Sequence, residues 1–554
     1  MRHHLLLIVA GMLLAAAGCQ TQAPPPPPYT ELAELIAQGS DVDVTTLRAS
    51  FEAEADFPER LSRLLELEEQ ALALLEDEPL KLGAIGSAIL DVYNGSLTGH
   101  YAMRQFYEHV SSTDAAAPHD SWIEAINGAI EAGDGSAEAP FPVMTRSEAR
   151  THLLMNGLEP VGGIYQSTDP HPFMLLTIGK PQAGPLQRSF YDASPMYTAL
   201  LRGEEARAEA EQADGETTPF TLIGRLARES DTAAQAAVGA FLASRNRTDD
   251  AIGWLRASSR AGNVLANTLL ARIFFDLSRT EEDSETRDSL LGETLDNYVH
   301  AIALGSSDAM YALAVLYLGE HYGEENVDAG LPLLQRAADL DHSDAMLYMA
   351  HMHAAGEYLE QSNQNAAALY ARASSLNNRR ALGAYTRFLI QQPEIQPDER
   401  LGEWLEAYAA LDDAEAMLLL GNLSARGVSV PADNNAAVSW YRKAVKANPQ
   451  DANIVNEVAW TLTVSDVDGL QRTSYAKRIM DELMNADEVA RSRPEYLDTW
   501  AATYAATGSF ERAIEIQELA LERARETERQ DVLGVLEEHL EKFRAGETVV
   551  EAAP

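Results

Sequence analysis

Cysteine is all but absent: the 554-residue chain carries Cys19 alone. A single thiol cannot form an internal disulfide, and beyond residue 19 no thiolate remains for nucleophilic catalysis or soft-metal binding. Lysine is nearly as scarce, limited to Lys81, Lys180, Lys443, Lys446, Lys477 and Lys542. Lys and Arg together number 42 against 85 Asp and Glu, a net charge of −43. Phosphate backbones are bound through clustered Lys and Arg, so this balance argues against a nucleic-acid partner. Long apolar runs are missing too. The one candidate, Leu5 to Ala17, is 13 residues long, short of the roughly 20 that span a bilayer. It has the layout of a leader instead. Arg2-His3-His4 give a basic start, the apolar run follows, and Ala16-Ala17-Gly18-Cys19 close it with small residues, which together make a secretory signal peptide.

The placement of Cys19 resembles the lipobox of bacterial lipoproteins, with Ala16 where leucine is commonest. The resemblance implies removal of residues 1–18 and lipidation of Cys19. Gln20 stands where aspartate would signal inner-membrane retention, which implies the outer membrane, lipid-anchored, on its periplasmic face. The membrane is then met through the N-terminal lipid only, each buried acyl methylene contributing about 0.8 kcal/mol. Within residues 19–30, Pro24 to Pro28 form a polyproline spacer. The acidity has a consequence of its own: self-repulsion in so acidic a chain is relieved by salt, which points to a saline habitat.

Residues 31–195 read as helices followed by a small α+β portion. Leu61, Leu64, Leu65, Leu67, Ala71 and Leu74-Leu75 form a helical stripe, and helical patterns continue over 79–92, 99–110 and 121–132. Gly133-Asp134-Gly135-Ser136 lacks the alternating acids of a calcium loop and reads as a turn. Phe141 to Met144 is extended, Thr145 to Asn156 helical with Thr145 or Ser147 as cap, and 158–166 and 172–178 are strand-like. The region resembles a bacterial domain family of unknown function. The residues that carry this are Asp43-Val44-Thr45-Thr46-Leu47-Arg48 with Phe51, Tyr93-Asn94 with His100, the 133–136 turn with Glu138, and Leu154-Met155-Asn156-Gly157-Leu158. The resemblance implies a fold and no activity. Residues 196–230, with Glu204, Glu205, Glu209 and Glu211, read as an acidic connector, helical or partly disordered.

From 231 to 450 the chain repeats. Ala309-Met310, Ala345-Met346, Ala381-Leu382 and Ala416-Met417 recur at intervals of 36, 36 and 35 residues, with fainter units upstream near Ala266 and Trp254. Such a period with helical stripes means an α-solenoid of stacked helix pairs. Small residues at Ala314, Ala350 and Gly421 let paired helices approach, Trp440 and Tyr441 are placed to fill space between neighbouring units, and Gly356 and Gly427 suit left-handed helix caps. The unit from Ala414 to Ala444 resembles the Sel-one-like repeat, and residues 451–528 resemble a tetratricopeptide module. Residues 529–554 supply a capping helix, Val532 to Phe543, and a tail. The fold class is therefore mainly α: a helical α+β domain followed by an α-solenoid.

Spacings that carry chemistry are missing. There is no His-Glu-x-x-His, no Gly-Lys-Ser/Thr phosphate loop and no nucleophile elbow, because Gly95-Ser96-Leu97-Thr98-Gly99 places its serine one position early. His351 and His353 are two apart on a helix and face different ways. His100, His109 and His119 form the other histidine grouping. No catalytic residue, metal site or cofactor is assigned. The partner-binding candidates come from repeat geometry: in the resembled repeats the first helix of each unit lines a concave surface. The residue after the small packing position reads Arg272, Val315, His351, Arg387 and Asn422, and one turn earlier lies Tyr311. Arg and Tyr dominate binding hot spots, and the two arginines are placed to grip a carboxylate or sugar acid. These features describe a non-catalytic, membrane-tethered periplasmic scaffold for a protein partner in the cell envelope. Two other readings fit the same chain: an enzyme or small-ligand sensor in 31–195 docked by the solenoid, or a solenoid that binds envelope glycan. A deep pocket with convergent polar groups in 31–195 would favour the enzyme, and a filled domain the scaffold.

Overall fold

Many of the helices begin after a polar side chain that caps the first turn ahead of an apolar stripe. The computed structural model describes residues 26–40, 42–75, 77–211, 218–319, 326–467 and 469–551, with backbone alone over 203–211. The leader and Cys19 lie outside the described residues. The chain divides into two compact units, residues 1–290 and 291–554.

The first unit opens with α1 (Tyr29–Ala37), α2 (Val44–Glu52), α3 (Phe57–Leu74), α4 (Leu82–Val92), α5 (Leu97–His109) and α6 (Thr113–Ile130). Asp43 caps α2 and Ser96 caps α5, each accepting an amide of the first turn. The leucine stripe of α3 is buried with Leu47, Phe51, Ile89 and Tyr93, the Phe51 and Tyr93 rings 4.6 Å apart. The turn at 133–136 follows, with Gly135 at φ +77° and the Asp134 side chain accepting from the Ser136 amide at 2.9 Å. Then come β1 (Phe141–Pro142), α7 (Arg146–Met155), β2 (Glu159–Gln166), β3 (Met174–Lys180) and β4 (Gln187–Asp192). Thr145, rather than Ser147, caps α7. The sheet runs β1-β4-β3-β2, antiparallel except for the β1–β4 pair. Strand β4 carries no hydrophobic alternation. Of its side chains only Tyr191 is fully buried, and pairing with β3 defines it.

The expected connector is largely built into the core. In α8 (Ser194–Glu211), Met196, Tyr197, Leu200 and Leu201 are buried, and α9 (Pro219–Arg228) buries Leu222, Ile223, Leu226 and Ala227. The acidic residues that suggested a connector, Glu204 to Glu216, lie between these two stripes and not within them. Helices α10 (Thr232–Ser244), α11 (Thr248–Arg260), α12 (Val264–Thr280) and α13 (Ser284–Ala303) follow, and the division between the units falls inside α13.

The second unit continues with α14 (Ser307–Leu318), α15 (Val327–Asp339), α16 (Ser343–Ala355), α17 (Asn363–Ser375), α18 (Arg379–Gln391), α19 (Leu401–Ala409), α20 (Ala414–Arg426) and α21 (Asn434–Ala447). Across both units the same turn recurs before a first helix: Ser230-Asp231, Gly262-Asn263, Gly305-Ser306, Asp341-His342, Asn377-Asn378 and Asp412-Asp413. The first residue of each pair has positive φ, and the second caps the helix with its side chain. Three caps in the second unit also tie repeats together. His342 Nε2 lies 3.3 Å from Asp308, Asn378 Nδ2 donates to Asp344 at 2.7 Å, and Asp413 accepts from Arg379. Gly356 and Gly427 end α16 and α20 in the left-handed region. A Cβ at Gly421 would lie 2.4 Å from the Tyr441 ring. Tyr441 therefore fills the space inside its own helix pair, not the space between units, while half-buried Trp440 lies under the Lys443 ammonium at 3.8 Å.

The C-terminal segment forms α22 (Ala452–Val464), α23 (Thr473–Ala486), α24 (Pro494–Ala506), α25 (Phe510–Glu526) and α26 (Gln530–Arg544). The capping helix α26 buries Leu536, His539, Leu540 and Phe543. The tail returns to α22, where the Glu551 amide donates to the Val464 carbonyl at 2.8 Å. Among the described residues no helix is long and apolar enough to cross a membrane.

Candidate functional site

First helices of successive repeats lie side by side, so residues one period apart become neighbours. In the second unit, α18, α20 and α22 wall a cleft of about 580 Å³ with Leu418, Leu419 and Ile454 among its apolar lining. Arg387 projects into it from α18, exposed, and pairs with Glu415 of α20 at 3.1 Å. Arg379 reaches the same carboxylate at 3.1 Å and also pairs with Asp413. Glu457 of α22 faces them, its Oε1 accepting from Asn422 at 3.2 Å. Desolvation by the cleft walls raises the Glu457 pKa, with Glu415 adding to the rise and Asn422 and Arg387 opposing it. Asp412, Asp451 and Asn453 complete the polar rim.

The ladder residues divide. Arg272 is exposed on α12, in the first unit. Tyr311, Val315, His351, Arg387 and Asn422 all lie in the second. Tyr311 stacks on His342 at 4.6 Å, and Val315 is half-buried. His351 shares a 2.9 Å hydrogen bond with the Tyr370 hydroxyl. Desolvation and the Arg387 guanidinium hold its imidazole below the ordinary value. Asn422 is only 3 % exposed. It receives the Tyr441 hydroxyl at 2.8 Å and donates to Glu457, so it positions the cleft and presents no surface of its own. Arg387 enters this cleft exposed and shares the Glu415 carboxylate with Arg379.

Arg379, Glu415 and Glu457 were missed, although the period marks two of them. The 35-residue step from Arg387 to Asn422 lands next on Glu457, across the boundary assigned to a different repeat type. The residue before each aligned alanine reads Asp308, Asp344, Arg380 and Glu415, and Arg380 does pair with Asp344 at 2.7 Å.

The first unit holds a smaller cleft of about 180 Å³, between α7, β2 and the turns that start α10 and α12. Its polar groups are spent on one another. Arg146 pairs with Glu69 at 2.6 Å and with Asp231 at 3.1 Å, and Arg150 reaches Glu69 at 2.8 Å. Burial pushes the Glu69 carboxyl up, but the two guanidiniums outweigh it and hold the group below its ordinary value. The Asn263 amide donates to the Gly163 carbonyl at 2.7 Å, and a Cβ at Gly162 would lie 2.6 Å from Asn263 Oδ1. These pairings fasten the sheet to the first repeats. Ser96 is buried as a helix cap. His100 and His119 meet at 3.0 Å between Nδ1 atoms, while His109 is exposed apart from them. Burial lowers the His100 pKa to about 3, and Trp122 stacks on its ring at 5.1 Å. His351 and His353 bond different partners, Tyr370 and the Glu360 carbonyl. Among the described residues no three His, Cys, Asp or Glu side chains converge as metal ligands.

The Sel1 repeat family model matches residues 307–342, 343–378 and 414–449, so these segments, α14 to α17 with α20 and α21, are Sel1 repeats. No curated protein matches the chain. Among solved structures, a Sel1 repeat protein from Oxalobacter formigenes is 14% identical, with 58% of this chain and 90% of that one covered at a TM-score of 0.39. The protective antigen c5321 of uropathogenic Escherichia coli, which displays an SLR fold, is 14% identical, with 92% and 94% covered at 0.41. Yeast Tom70 is 11% identical, with 93% and 95% covered at 0.32.

Proposed function

We propose that the protein is a non-catalytic scaffold, lipid-anchored at Cys19 on the periplasmic face of the outer membrane, that binds a protein partner of the cell envelope through the α18–α20–α22 cleft. Repeat solenoids present extended binding surfaces built from equivalent helices, and this cleft is where such equivalents converge. The observation that carries the reading is the alternating set Arg379, Arg387, Glu415 and Glu457 around the apolar floor of Leu418 and Ile454. Apolar anchoring within a charged rim is the anatomy of a protein interface. The rim holds more carboxylates than guanidiniums, so it suits a partner segment that carries Lys or Arg beside an apolar side chain. The small cleft of the first unit supports the scaffold over an enzyme, because its charged groups pair with one another. Photocrosslinking from within the cleft tests the reading directly.

A further inference from the structure

Basic side chains on this acidic chain mostly find a carboxylate, yet the exposed face of α21 does not follow that habit. Arg442, Lys443 and Lys446 form no ion pair among the described residues. With Arg472, from the turn before α23, they line a pocket of about 320 Å³. The remaining walls are Asn435, Val438 and Ser439, and no described carboxylate is among them. Three of the six lysines of the chain, Lys443, Lys446 and Lys477, fall on α21 and α23.

Three of the four cations are held in place. Lys443 Nζ sits 3.8 Å over the Trp440 ring and the Arg442 guanidinium 5.3 Å over Tyr475, whose ring also carries Arg478 at 5.1 Å. Arg472 Nη1 donates to the Gly469 and Gln471 carbonyls, each at 2.7 Å, which fixes the guanidinium while leaving its other nitrogens uncommitted to them. Such prior ordering lowers the entropy cost of binding. Four like charges around one small pocket repel each other, and a compact ligand of several negative charges relieves that repulsion. One carboxylate brings a single charge against these four. Two guanidinium forks with two ammonium point charges match the oxygens of a phosphate or pyrophosphate group. The field of the surrounding chain disfavours an extended polyanion and leaves a compact one as the better fit.

We propose that the α21–Arg472 pocket is a binding site for a phosphate-bearing ligand, met either as a free phosphate compound or as a lipid headgroup. The test uses the intact chain and two probes: inorganic pyrophosphate followed by calorimetry, and cosedimentation with phosphatidylglycerol against phosphatidylcholine vesicles. Arg442→Ala/Lys446→Ala removes two exposed charges without burying or exposing core. Arg279→Ala/Arg287→Ala removes the same charge elsewhere. The expected result is saturable binding that weakens at least about ten-fold in the pocket variant and stays within about two-fold in the control. Pyrophosphate binding identifies the free compound as sufficient, and binding to phosphatidylglycerol vesicles alone identifies the headgroup. Failure to bind either probe, or equal weakening in both variants, overturns the proposal.

Discussion

Glu68 shows how much a single side chain decides in the first unit. It is buried on α3, and its two oxygens receive the Ser96 hydroxyl at 2.6 Å and the Thr145 hydroxyl at 2.7 Å. Those hydroxyls are the caps of α5 and α7, so one carboxyl joins the starts of two helices to a third. Burial raises its pKa to about 8, against the two hydroxyl bonds that favour ionisation. The folded protein therefore keeps this proton across a range in which the unfolded chain has lost it. Stability from this group is present below the unfolded pKa and falls as pH climbs towards 8, by an amount on the order of 5 kcal/mol. Glu68→Gln is expected to flatten that fall, seen as pH-independent amide-exchange protection of α5 and α7 between pH 5 and 8. A protection profile as steep as wild type would reject the assignment. Nothing in the sequence marks Glu68 among 85 acids. By contrast the cap of α7 was legible as either Thr145 or Ser147, and the structure selects Thr145.

At the scale of elements, the recurring αL–cap turn sets the repeat. The alanine periodicity was legible because small buried positions tolerate few substitutes. The turn was harder to read because six different pairs, from Ser-Asp to Asp-His, supply the same geometry. Asn378 shows what it does: its Oδ1 accepts from the Ala381 amide while its Nδ2 reaches Ser343 and Asp344 of the preceding repeat. Asn378→Ala removes cap and tie together and is expected to cost about 1–2 kcal/mol, measured as earlier urea unfolding with local loss of protection in α18. Asn378→Asp, which keeps the cap but faces Asp344 with like charge, should recover only part of it. Equal stability of wild type and the alanine variant would contradict the role given to the turn. Strand β4 and the stripe of α8 stayed hidden for the opposite reason. Gln187, Arg188 and the glutamates of 204–211 carry polar signatures, and the structure rests on partners elsewhere in the chain.

The whole molecule is governed by charge and by its two ends. At −43, self-repulsion should make the melting temperature rise from low to molar NaCl as screening shortens its range, and a flat or falling curve in differential scanning calorimetry would remove that account. The proposed anchor makes an equally plain prediction. Cys19→Ser should move the protein from the membrane to the soluble fraction, and continued sedimentation with outer membranes would show that lipidation at this residue is not what holds it. The cleft was half legible: repeat alignment named Arg387, which lines it, and Asn422, which is buried behind it, but pairing by Glu415 and the continuation of the ladder to Glu457 became visible only in three dimensions. The most direct test of the scaffold is a photocrosslinker at Asn453, inside the cleft, against one at Arg279 outside it, in membranes of the native host. The account predicts one defined protein captured from position 453 alone, and its loss when Arg387→Glu is combined with Glu415→Arg, which inverts their ion pair and sets a second cation beside Arg379. Capture of the same species from both positions, or capture that survives the swap, would contradict it.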